Sequence, residues 1–76
     1  SEKYLIQFLK EQTGKTFAKY IEDMRVEKAK ELLSETEYSN EQIAGMAGFG
    51  SLNSFYRVFH KKTGVSPGTY RKKRGF

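Results

Sequence analysis

Residues 39–64 read SNEQIAGMAGFGSLNSFYRVFHKKTG. Ser39 followed three residues later by Gln42 is a capping-box pattern, in which each side chain accepts from the other residue's backbone amide. It opens a helix over about 40–47, two turns long, with Ile43, Ala44 and Ala47 turned inward. Gly48-Phe49-Gly50 then makes a tight turn around a buried aromatic. Ser51 caps a second helix over about 52–62. At about 100° per residue, Phe55, Val58, Phe59 and Lys62 share one side, while Asn53, Arg57 and His60 lie opposite, flanked by Tyr56 and Lys61. Thr63-Gly64 ends it, glycine being free to take the left-handed cap conformation. A short helix, a glycine turn and a second helix make a helix-turn-helix, whose second helix fits a DNA major groove.

The flanking sequence is helical too. Pro67 is the only proline and strict period-two alternation is scarce, so the fold class is all-α. Upstream, Thr16 caps a long helix of about 17–35, whose apolar stripe runs Phe17, Tyr20, Ile21, Met24, the stem of Lys28, and Leu32 with Leu33. Before it, a helix of about 2–12 begins from Ser1, carries Leu5, Phe8, Leu9 and Gln12 on one face, and ends at Thr13-Gly14. Downstream, Ser66-Pro67 starts a last helix, proline being tolerated at its first position. The basic tail from Arg71 is expected to fray. One domain over 1–76 results, with a first reading helix in 1–15, a linker helix in 16–37, and the helix-turn-helix plus C-terminal helix in 38–76.

An offset of 50 residues lays the start of the chain on its later part. Ser1 falls on Ser51, Thr13-Gly14 on Thr63-Gly64, Thr16 on Ser66 and Tyr20 on Tyr70, while Leu5, Phe8 and Leu9 fall on Phe55, Val58 and Phe59. The matches coincide with caps, core and punctuation, as a duplicated helix–cap–helix unit requires. The first helix repeats the outward layout with Lys3, Gln7 and Lys10, and Ile6 beside them. Glu2 and Glu11 leave it electrically neutral.

Charge divides the chain. Up to Glu41, nine acidic residues against seven basic ones leave −2. Beyond it Arg57, Lys61, Lys62, Arg71, Lys72, Lys73 and Arg74 carry +7 with no acid. Such asymmetry points to a polyanion, and with the helix-turn-helix to double-stranded DNA. Asn pairs bidentately with adenine and Arg with guanine, so Asn53 and Arg57 suit base edges, although any solvated helix face carries polar residues. Phosphate contacts are expected at Lys61, Arg71 and Lys72, in a tail running on to Arg74. They are expected also at Ser39, Ser51 and Ser66, whose helix N-termini present free backbone amides.

Other classes fare worse. The chain has no cysteine, which excludes disulfides, thiolate metal sites and cysteine nucleophiles, and one histidine makes no zinc site. No cofactor is expected. The acids lie in the solvated half, so hydrolysis by paired carboxylates is poorly supported, and an enzyme is the weakest reading. No apolar run approaches the roughly 20 residues of a membrane span, so a cytosolic location without a membrane partner is expected. The alternative is a helical interaction module meeting an acidic partner such as RNA polymerase.

Ile43-Ala44, Gly48-Phe49, Phe55, Phe59, Gly64, Ser66-Pro67 and Tyr70-Arg71 resemble the C-terminal signature of AraC/XylS-type transcription regulators. MRVEKAKELLSETEYSNEQIAGMAGF, residues 24–49, is similar to that family's linker helix and the first helix of its second helix-turn-helix. The resemblance implies a homeodomain-like, all-α bacterial DNA-binding domain with two helix-turn-helix units, usually fused to a sensor or receiver domain and working at the nucleoid. Carried over by position, base-reading sites fall on Leu52, Asn53, Tyr56 and Arg57, and in the first unit on Lys3, Ile6 and Gln7. Leu52 and Ile6 depart from a polar pattern and suit a thymine methyl or no contact at all. Arg25 matches a family arginine and is expected to form a structural ion pair in preference to a DNA contact. The family's first unit begins with helices that precede its reading helix. This chain starts at that helix, so the first unit is expected to be incomplete and the chain a fragment. Leu5, Phe8 and Leu9 would then form an apolar patch suited to self-association.

Overall fold

The computed structural model describes residues 2–14 and 16–73, without the side chains of Leu9 and Thr13. Ser1 and Arg74, assigned above to a cap and to the tail, lie outside the described residues. These comprise five helices: α1 (Glu2–Thr13), α2 (Phe17–Glu35), α3 (Asn40–Met46), α4 (Leu52–Thr63) and α5 (Pro67–Lys73). The boundaries follow local chemistry. Thr16 Oγ1 accepts from Lys19 N at 3.2 Å, Ser51 Oγ from Ser54 N at 3.1 Å, and Ser66 Oγ from Thr69 N at 3.2 Å. At Ser39 both halves of the capping box form: Gln42 N donates to Ser39 Oγ and Ser39 N to Gln42 Oε1.

The repeat seen in the sequence reappears in the backbone. Gly14 and Gly64 both adopt left-handed conformations, at φ 74° and 82°, and donate to Lys10 O and His60 O four residues back. Thr16 and Ser66 then cap the next helices, and Tyr20 N and Tyr70 N donate to their carbonyls. The two units differ in what surrounds them. Among the described residues the buried apolar side chains lie between Val26 and Phe59, with Pro67 beyond them, whereas all described α1 side chains are exposed.

The core is built on α2, which packs against each of the other four helices. Phe55 and Phe59 of α4 are fully buried in one cluster with Ile43 and Ala44 of α3 and Ala47 at its C-cap, and Tyr70 of α5 is edge-on to Phe59 at 5.5 Å. The sequence-based stripe on α2 is displaced. Phe17 and Met24 are 40% and 53% exposed and Lys28 is solvated; the buried line runs Val26, Ala29 and Leu33 with Leu32 beside it. Small side chains serve there because α3 and α4 approach closely, while the N-terminal half of α2 has fewer neighbours to cover its larger apolar groups. No helix of the described residues is long and apolar enough to cross a membrane.

Candidate nucleic-acid interface

The helix-turn-helix forms as α3, a turn at 47–51, and α4. Gly48 makes the turn possible with φ 93°, a conformation that L side chains rarely adopt. A Cβ there would also stand 3.3 Å from Arg25 Nε. Phe49 N donates to Ala44 O at 2.9 Å, folding the chain back so that the Phe49 ring meets Phe55 at 5.1 Å. Burying Phe55, Val58 and Phe59 orients α4, and its opposite face presents Asn53, Arg57 and His60 to solvent with Tyr56 and Lys61 beside them.

Not all the expected contact residues are alike in this setting. Asn53 and Arg57 are exposed on α4. Leu52 is half-buried and packs against the core, so its methyl groups have an internal role. Tyr56 stacks on Phe55 with ring centroids 5.9 Å apart, and its hydroxyl accepts a long bond of 3.4 Å from Asn40 Nδ2. Lys3, Ile6 and Gln7 are exposed on α1, and Gln7 Nε2 donates to Glu11 Oε1 at 3.4 Å. Ser39, Ser51 and Ser66 stay exposed while capping, and Lys72 is exposed at the end of α5.

Arg71 differs from the expectation of a phosphate contact in a fraying tail. α5 continues to Lys73, and Arg71 donates to three backbone carbonyls: Nε to Leu33 O, and Nη2 to Thr36 O and Tyr38 O, at 2.8–3.2 Å. A planar guanidinium is suited to this task, since the end of α2 leaves carbonyls without intrahelical partners. Arg71→Ala is therefore expected to cost about 1.5–3 kcal/mol in a urea melt, the range of bonds to charged donors. Arg71→Lys should recover little of it, because one ammonium cannot span the three acceptors. Arg25 also departs from expectation: among the described residues it makes no ion pair, and its side chain lies against Gly48.

Two residues that shape this face carry no sequence signal. Asn40 reaches Tyr56 from the start of α3, and Glu22 reaches Lys61 from α2, its Oε1 3.3 Å from Lys61 Nζ. Both pairs span 16 and 39 positions, beyond any local pattern. Among the described residues no group of three or more His, Asp or Glu side chains is placed to hold a metal ion.

A short capped helix, a left-handed glycine turn and a second helix with a polar, acid-free outer face define a protein of the helix-turn-helix class. A family profile described as a helix-turn-helix domain matches residues 1–73. The chain belongs to the AraC-type helix-turn-helix family. It is 41% identical over 68 residues to the uncharacterized HTH-type transcriptional regulator YobQ of Bacillus subtilis, covering 90% of this chain and 28% of that protein. An AraC-type transcriptional regulator structure from Chromobacterium violaceum superposes with a TM-score of 0.90 at 28% identity, covering 99% of this chain and 67% of that one. The DNA-binding domain of the global transcriptional factor AdpA, solved with a target DNA, gives a TM-score of 0.89 at 29% identity over 96% of this chain and 66% of that one. The chain thus spans about a quarter of the length of the curated relatives it matches, 28% and 26% for the first two.

Proposed function

We propose that this chain is a sequence-specific, double-stranded-DNA-binding unit of a bacterial AraC-type transcription regulator, acting by binding alone and without catalysis. The outer face of α4 carries the reading: with Phe55, Val58 and Phe59 buried beneath it, Asn53 and Arg57 stand exposed on the side that a major groove would meet. Tyr56 flanks them, and Leu52 contributes at most an edge to a thymine methyl. Lys61, Lys72 and the hydroxyls of Ser39, Ser51 and Ser66 are proposed phosphate contacts. Arg71 is left out, since its Nε and Nη2 are held by carbonyls.

Lys3, Ile6 and Gln7 on α1 are proposed as a second, weaker reading set. The connector α2 has 19 residues, roughly 28 Å at 1.5 Å per residue, against about 34 Å for one turn of B-DNA. That length suits two reading helices on one face of the duplex. Association with the bacterial nucleoid is proposed along with it, since that is where its duplex would lie. The greater length of its relatives supports a longer parent, for which a fused sensor or receiver domain is proposed.

A second reading, contact with another protein surface such as RNA polymerase or a second copy, rests on Tyr4, Leu5 and Phe8. These are exposed on α1, Tyr4 at 73%. The experiment that separates the two is selection of binding sites from random duplexes with the native chain and with Arg57→Ala. The variant is expected to lose preference at one base pair, at a cost of about 1–3 kcal/mol. Loss spread evenly over all sequences would reassign Arg57 to a phosphate. Failure to select any site with the native chain would leave the protein-contact reading.

A further inference from the structure

Lys61 has a partner before any DNA arrives. Glu22 Oε1 lies 3.3 Å from Lys61 Nζ and 3.8 Å from Lys62 Nζ, while Lys62 has a closer carboxylate in Asp23 Oδ1 at 3.0 Å. Asp23 therefore takes Lys62, whose ammonium is drawn back beside the core, and Glu22 holds Lys61. The two halves of this pair are unequal. The Lys61 side chain is 55% exposed and stands next to the Arg57 stripe; that of Glu22 is 28% exposed and fixed on α2. The lysine is the movable partner, and it faces the side where a phosphate would come.

We propose that Glu22 is an affinity-determining residue that acts through Lys61, occupying its ammonium as an internal stand-in for phosphate. Binding DNA then exchanges one anion for another at Lys61, so its net gain is smaller than that of a free lysine. A solvated pair of this kind is weak enough to break, worth no more than a few-fold in an equilibrium constant. It is strong enough to damp attraction to arbitrary DNA. Glu22 is then left with only its longer contact to Lys62, 3.8 Å away, and its less covered charge near the duplex adds repulsion of the same sign. Asp23 has no such effect, because Lys62 is withdrawn from the outer face.

This inference rests on the DNA-binding reading, with Lys61 at a phosphate. Its test uses the 76-residue chain and a short duplex of mixed sequence, titrated at several salt concentrations. Glu22→Gln is expected to bind about 3- to 5-fold tighter than the native chain near 0.1 M salt, with a log–log salt slope steeper by up to about one. Glu31→Gln, which removes a charge from α2 at a pair with Lys28, controls for the bulk change and should shift affinity by less than about 2-fold. In a Lys61→Gln background, Glu22→Gln should add no more than that control does. Equal shifts for Glu22→Gln and Glu31→Gln, or an undiminished Glu22 effect without Lys61, would overturn the proposal; so would weaker binding by Glu22→Gln, which would mean that Glu22 orients Lys61 for the phosphate. Thermal melts check that each variant is folded. Should Glu22→Gln fold poorly, the carboxyl-carbon resonance of Glu22 in the native chain gives the answer, shifting on DNA addition if the pair opens and staying fixed if it does not. Native chain that binds no duplex at all would overturn the DNA-binding reading and this inference together; a native chain that binds with steep salt dependence, beside an unaltered Glu22→Gln, overturns this one alone.

Discussion

Phe55→Ala is expected to take the domain to the edge of unfolding. Phe55 is fully buried, and its ring meets Phe49, Tyr56 and Phe59 at centroid distances of 5.1, 5.9 and 5.6 Å. It therefore ties the turn to the middle and end of α4, beneath the face proposed to read DNA. Truncating a buried Phe costs about 3–5 kcal/mol, part of it transfer of the ring and part the cavity left behind. A chain of 76 residues has about 4–11 kcal/mol in all. A urea melt followed by circular dichroism should show a midpoint shifted to very low denaturant, with DNA binding lost in parallel. Phe55→Leu keeps most of the volume and should retain a cooperative transition. A loss below about 1 kcal/mol for the alanine variant would contradict the closed packing of α3, α4 and the turn.

The second large effect concerns salt. If about five phosphates are neutralised by Lys61, Lys72 and their neighbours, the log–log slope of affinity against salt is near −4 to −5. From 0.05 to 0.2 M salt, binding to a selected duplex should then fall by about 250- to 1,000-fold. Fluorescence anisotropy at four salt concentrations measures it. The expectation follows from the division of charge along the chain: all the carboxylates end at Glu41, so nothing on α4 or α5 repels a phosphate strand. A flat slope, or equal affinity for an acidic protein surface, would remove the basis for reading these lysines as DNA contacts. Either result would favour the interaction-module reading instead, in which the exposed helices meet another protein.

The reach of the sequence differs between elements, and the difference has a physical cause. The limits of α3 and α4 were legible because capping is a local event. Ser39 and Gln42 satisfy each other's amides three residues apart, and Gly64 ends α4 by a conformation other residues avoid. The inner face of α4 was legible as well, since Phe55, Val58 and Phe59 recur at helical spacing and no other face of that helix is apolar. α2 was harder. It carries apolar groups on two sides, and size suggested Phe17 and Met24 where Val26 and Ala29 are buried. Which side faces inward depends on α3 and α4, and neither is encoded within α2.

Charged residues show the same boundary more sharply. Composition and order along the chain were enough to establish an all-helical domain, its internal repeat, its family and the acid-free half that suits a polyanion. Helical spacing already put Lys62 on the inner side and Lys61 at the outer face, but it named no partner for either and left Arg71 as one more phosphate-seeking cation. Folding separates them: Arg71 turns back onto the carbonyls at the end of α2, Lys62 onto Asp23, and Lys61 onto Glu22 at the rim of the outer face. Helix periods and caps are set by neighbours within about four residues, through backbone hydrogen bonds that every chain makes. The partner of a long charged side chain is set by which helices pack together, and that arrangement exists only once the core around Phe55 and Phe59 has closed.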